Sequence, residues 1–167
     1  MLYGEKNGEG KDYHEKGILL YEGQYLAGVK NGKGKEYHIK YGDLEFEGEY
    51  LLGKKWTGKI FEHYPNAKLL FKGELLNGER NGVGTEYYEN GLKIYEGEYL
   101  NGKRNGKGKE YKNNEISYEG NYLNDQRSGK GVECHILFFI FHLILSNSKI
   151  NIIMFFEKIV DFFELGR

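Results

Sequence analysis

The chain has 167 residues and a net charge of −1, which bounds it to one domain with at most an appendage and gives no general pull toward nucleic acid. Twenty-five glycines and fifteen tyrosines against one proline exclude a disordered Pro/Gly linker and point to short strands joined by tight turns. The single cysteine, Cys134, excludes an intrachain disulfide and fits a reducing compartment.

The first residues, MLYGEKNGEG, have no apolar core of the signal-peptide kind, and no N-x-S/T sequon occurs, so a cytosolic setting is expected. Asn7-Gly8-Glu9-Gly10 matches Asn31-Gly32-Lys33-Gly34 further on, so the first copy of the pattern that follows lacks its opening half. Five copies of one phrase then succeed each other: YEGQYLAG from Tyr21, FEGEYLLG from Phe46, FKGELLNG from Phe71, YEGEYLNG from Tyr95 and YEGNYLND from Tyr118. Their central glycines, Gly23, Gly48, Gly73, Gly97 and Gly120, are 25, 25, 24 and 23 residues apart.

Each phrase leads to a second glycine: Gly34, Gly58, Gly84, Gly108 and Gly131. The distance to it is 11 residues in four copies and 10 in the Gly48–Gly58 copy, which reads Trp56-Thr57 where the others read x-Gly. The distance onward to the next phrase drifts. A fixed half suits a hairpin of set register, and an elastic half suits a connecting loop. The one proline, Pro65, falls in the elastic half.

Within a copy, Tyr95, Gly97 and Tyr99 alternate with Glu96, Glu98 and Leu100, the period of a strand. Asn101-Gly102 supplies a hairpin turn, and a second strand is expected from about Gly106 to Tyr111. Glycines opposite tyrosines leave room for rings to lie across the backbone. Glu on one strand and Lys on the next pair across the ladder, for about 0.2–1 kcal/mol each.

This recurring phrase resembles the MORN repeat (membrane occupation and recognition nexus), over about residues 1–134. Tyr25, Tyr50, Leu75, Tyr99 and Tyr122 stand where the family often has tryptophan. The resemblance implies one β-hairpin per repeat, stacked into an elongated, single antiparallel sheet. About eleven strands at ~4.8 Å would make an array of ~50 Å. It also implies interaction or tethering roles, often at the cytoskeleton or under membranes. In MORN-bearing lipid kinases and histone methyltransferases the repeats are appended to a catalytic domain for which this chain has no room.

After Glu133 the composition changes. All tyrosines precede this point, while seven of ten phenylalanines fall in 135–167. The run ILFFIFHLIL, Ile136 to Leu145, is about half of what spans a bilayer. Beyond it, Glu157, Asp161 and Glu164 share one helical face amid Phe155, Phe156, Ile159, Val160, Phe162 and Phe163, the pattern of an amphipathic helix. The segment 135–167 is expected to be a separate apolar, helical tail. Three roles stay open for it: a cap on the array, a membrane-associating tail, or a segment without selected role.

No catalytic, metal or cofactor site emerges. Gly102 to Lys107 reads GxxxGK, one residue short of a phosphate loop, with Gly108 where a Ser or Thr is needed. His14, His38 and His63 sit in separate repeats and are expected to be exposed, and Cys134 beside His135 would point to the other face of a strand. The carboxylates recur with the repeats, whereas a catalytic pair should be a singularity.

Lys30 and Lys33, Lys54 and Lys55, and Lys103, Arg104, Lys107 and Lys109 are expected along one edge of the sheet, where they would form an interrupted cationic ridge for an anionic partner. The first functional expectation is a non-catalytic scaffold that uses its aromatic face, with Tyr95, Tyr99, Tyr118 and Tyr122 as structural or contact residues, to hold a protein partner or a second copy. The alternative is a peripheral membrane tether binding anionic lipid through the basic turns and the tail. No nucleic acid and no cofactor are expected.

Overall fold

The computed structural model describes residues 4–133, and the tail at 135–167, with Cys134, lies outside them. The described residues form one open antiparallel sheet of eleven strands in sequence order. The strands are β1 (Gly8–Tyr13), β2 (Leu19–Leu26), β3 (Val29–Tyr37), β4 (Leu44–Leu51), β5 (Lys54–His63), β6 (Leu69–Leu76), β7 (Glu79–Tyr87), β8 (Lys93–Leu100), β9 (Lys103–Lys112), β10 (Glu115–Leu123) and β11 (Gln126–Glu133). Five hairpins follow a leading strand, one per copy of the repeated phrase.

Two-residue turns close the hairpins. Both residues have positive φ, as in Asn77 (55°) and Gly78 (81°) or Asn101 (50°) and Gly102 (79°), the type I′ geometry that matches strand twist. Successive turns are also tied to each other. The amides of Gly28, Gly53, Gly78, Gly102 and Asp125 donate to the carbonyls of Lys6, Lys30, Trp56, Arg80 and Arg104 of the preceding copy, at 2.8–3.3 Å. Between hairpins the turns vary, from the loop of Tyr64 to Lys68 that holds Pro65 to the two-residue Asn113-Asn114 turn, which accounts for the elastic spacing.

The second strand of a hairpin begins earlier than its glycine pattern suggests: β9 starts at Lys103, not near Gly106. The strand passes through a wide irregularity there. Gly97 faces Gly108 and Tyr99 faces Arg104, so between these pairs one residue of β8, Glu98, spans three of β9. The same step recurs in β2–β3 and β6–β7. The basic residue on the aromatic face is the second residue after each turn: Lys30, Lys55, Arg80, Arg104 and Arg127.

A single sheet would ordinarily leave both faces wet. Here the aromatic face closes over itself. Tyr21, Phe46, Phe71 and Tyr95 are fully buried, and Tyr25, Tyr50, Leu75, Tyr99, Tyr118 and Tyr122 are at most 6 % exposed. Each first ring lies flat across a pair of facing glycines. A Cβ on Gly108 would overlap the Tyr95 ring, and one on Gly34 the Tyr21 ring. Tyr21 Oη reaches beyond its glycines to donate to the Gln24 carbonyl at 3.0 Å. Edge-to-face contacts then link the rings: Tyr21 with Tyr50 at 5.3 Å, Phe46 with Tyr50 at 5.0 Å, Phe71 with Tyr99 at 5.2 Å and Tyr95 with Tyr122 at 5.1 Å.

The array carries one phase slip. At β5–β6 Gly58 faces Leu75 and Ile60 faces Gly73, whereas Gly34 faces Gly48 and Gly84 faces Gly97 elsewhere. The core accordingly falls into two clusters, one around Tyr21, Phe46 and Tyr50 and one around Phe71, Tyr95 and Tyr118. Ile60 packs against both.

Candidate functional site

The aromatic face is lidded by two columns of charge. Lys30, Lys55, Arg80, Arg104 and Arg127 lie over the rings of Tyr21, Phe46, Phe71, Tyr95 and Tyr118, at 4.4, 5.5, 3.9, 4.3 and 4.1 Å from the ring centres. Asp12, Glu36, Glu62, Glu86 and Glu110 form the second column. Lys30 and Lys55 both reach Glu36 at 2.7 Å, Arg80 binds Glu62, Arg104 binds Glu86 at 2.5 Å and Arg127 binds Glu110. The second ring of each phrase completes the unit. Tyr50, Tyr99 and Tyr122 donate to Glu36, Glu86 and Glu110 at 3.0, 2.6 and 2.9 Å, and Tyr25 donates to Asp12 at 2.5 Å. Leu75 stands where a fifth hydroxyl would meet Glu62.

The electrostatics follow from this geometry. Burial opposes ionisation of Glu86, but the bonds from Arg104 and Tyr99 outweigh it and hold its pKa below the ordinary value. Glu36 is held low in the same way against burial, by Lys30 and Lys55. At Glu110 the Arg127 guanidinium is the largest cause of the lowering. The phenols move the other way: burial and then the Glu86 carboxylate push Tyr99 far up, and burial pushes Tyr95 up to about 12.

These residues are therefore a structural lid. The aromatic face, expected as a docking surface, is closed by its own ion pairs. The basic ridge is corrected as well. Lys30, Lys55 and Arg104, each the second residue after its turn, are folded onto the aromatic face. Lys33, Lys107 and Lys109 lie on the opposite face, and Lys109 pairs with Glu119 at 3.2 Å. Only Lys54 and Lys103 stand exposed at the turns. The eight basic residues occupy three places, not one edge.

The histidines also differ from expectation. His14 and His38 are half-buried turn caps, their Nδ1 atoms accepting the amides of Lys16 and Lys40 at 3.2 and 3.1 Å. His63 ends β5 with a buried Nδ1 that has no hydrogen-bond partner. Among the described residues no cluster of His, Cys, Asp and Glu is arranged to hold a metal ion.

The opposite face remains open. It carries two shallow grooves of about 600 and 560 Å³ floored by glycine backbone. Gly10, Gly23, Gly34 and Gly48 line the first, and Gly97, Gly108 and Gly120 the second. One wall is neutralised internally by Lys11–Glu22 at 3.1 Å, Lys35–Glu47 at 3.1 Å and Lys109–Glu119. The wall nearer the turns holds Glu49, Glu98, Lys33 and Lys107, none of which forms an ion pair within the described residues. Beside that wall stand the leucines that end each first strand, all about half exposed.

Sequence reasoning missed both the acidic column and the leucine row. The signal for the first was present, since Asp12, Glu36, Glu62, Glu86 and Glu110 recur at 24, 26, 24 and 24 residues. Among the described residues no helix is long and apolar enough to cross a membrane. A family model described as MORN repeat matches residues 21–39, 71–93, 95–115 and 118–134. No curated protein matches the chain.

Proposed function

We propose that this chain, a MORN-repeat protein, is a non-catalytic scaffold that holds a protein partner on the face and turn edge opposite its aromatic core. MORN repeats are interaction and membrane-binding modules, and the family is not an enzymatic one. The observation that carries the proposal is the division of labour between the two faces. On the aromatic face Glu36, Glu62, Glu86 and Glu110 are each bound to a base of the same lid, so the groups with chemistry in them are spent on the fold. On the other face the backbone lies open between half-exposed leucines and unpaired charges, which is what association uses. Affinity capture with the full-length protein, against a Gly108→Ala control whose core is disrupted, should enrich one or a few protein partners. Enrichment no greater than that of the control removes the scaffold reading.

A second reading, a peripheral tether on anionic lipid, is favoured by one observation: Lys33, Lys54, Lys103 and Lys107 are exposed and form no ion pair within the described residues. Flotation of the full chain with anionic vesicles, lost in Lys54→Glu/Lys103→Glu, is its expected result. No flotation of the wild-type chain discards it.

A further inference from the structure

Leu26, Leu51, Leu76, Leu100 and Leu123 are 43–56 % exposed, one at the end of each hairpin's first strand. They share the face that bears Gln24, Glu49, Glu74, Glu98 and Asn121, two residues earlier in each strand. A single exposed leucine needs no explanation, but five in register make a recurring apolar row, with Val29, Lys54, Glu79 and Lys103 opposite Leu26, Leu51, Leu76 and Leu100. In the N-terminal half Val29, Leu52 and Trp56 add exposed apolar surface, as Val83 does further on.

Leu52 sharpens the point. It is 73 % exposed and takes φ +49° at the turn position that Asn77, Asn101 and Asn124 fill in later hairpins. A leucine there is strained and wet, so neither the turn nor the core selects it.

Spacing and charge identify what fits. Two strands at about 4.8 Å set successive leucines about 9.6 Å apart. Seven residues of α-helix rise about 10.5 Å. A helix with an apolar residue every seven positions therefore meets three leucines in turn with a drift of about 1 Å per step. Alongside, Glu49, Glu74 and Glu98 are exposed and form no ion pair within the described residues, whereas Glu22, Glu47, Glu96 and Glu119 one row away each bind a lysine. Lys33 and Lys59 lie opposite Glu49 and Glu74 in register without closing an ion pair.

The geometry points to an amphipathic α-helix of a protein partner, laid along the turn edge with apolar residues at seven-residue spacing on Leu26, Leu51 and Leu76 and cationic residues beside Glu49 and Glu74. This rests on the scaffold reading and names the chemistry of its partner.

The test uses the full chain and two synthetic helices of about three heptads, with identical composition. One carries leucines at seven-residue spacing flanked by lysines, and the other is permuted. The matched peptide is expected to bind and gain helicity, and the permuted one to bind at least about tenfold more weakly. Leu51→Lys/Leu76→Lys should lose about tenfold or more in affinity with its circular dichroism unchanged. Leu52→Asn should weaken binding while raising the unfolding midpoint. Equal binding of both peptides, or full binding by the double variant, overturns the assignment. So does a wild-type dimer that the double variant dissolves, since a second copy would then cover the row, or vesicle flotation that depends on Leu51 and Leu76. Captured partners kept by the double variant leave the scaffold reading standing and remove the helix site. No captured partner with either chain removes both.

Discussion

Tyr95 and Gly108 show what one residue does in this fold. The tyrosine contributes a large apolar ring, but a one-layer sheet has no second layer to receive it. The missing side chain of Gly108 is the space the ring occupies, and Arg104 closes it from above. Gly108→Ala would force the ring off the sheet, at a cost of about 2 kcal/mol in overpacking, and should lower the urea midpoint of the full chain accordingly. An unchanged midpoint would mean that the ring does not lie there. The glycines were legible in the sequence as spacing, and their opposition to tyrosines suggested rings across the backbone. Which glycine accepts which ring was not legible, because the ring covers the glycine two residues on in its own strand together with that glycine's partner.

At the scale of the hairpin, the unit is a ring, a base over it and an acid that ties the base to the next ring's hydroxyl. The strand period and the turns could be read directly from alternation and Asn-Gly pairs. The destination of the charges could not. Strict alternation fails at the irregularity after the turn, where three residues of β9 oppose one of β8, and Arg104 and Lys103 look alike in sequence and differ in place. Arg104→Gln leaves Glu86 half-buried without its main partner and should cost about 3 kcal/mol, while Lys103→Gln should stay within about 0.5 kcal/mol. Equal effects of the two would contradict the lid. Its pH dependence has a definite sign. Glu36, Glu86 and Glu110 are held below the ordinary 4.5, so their contribution is complete above that value and is lost as the pH falls through their folded values. The raised phenols of Tyr50, Tyr95 and Tyr99 contribute fully below 10.0 and lose that contribution as the pH rises above it. The unfolding midpoint should be flat around neutrality, fall below pH 4.5 and fall again above pH 10.0. A midpoint that rises on acidification would rule out the acidic column as a stabilising element.

Across the whole array, the repeats are alike in the core and unlike at the turn edge. The slip at β5–β6 divides the core in two. It was foreshadowed by the Gly48–Gly58 copy, one residue short, and by the long step from Gly58 to Gly73, although neither spacing alone says that Ile60 takes a glycine's place. The short copy is also the one that exposes Trp56, and its turn is the one that holds Leu52. Irregularity and exposed apolar surface thus coincide in the short copy, at Leu52 and Trp56. Hydroxyl-radical footprinting of the full-length protein, free and with its captured partner, tests this division most directly. Leu51, Leu52, Trp56 and Leu76 should react in the free protein and become protected in the complex, with Tyr21 and Tyr95 unreactive in both. Tyrosine rings that react in the free protein and are protected only by the partner would contradict it.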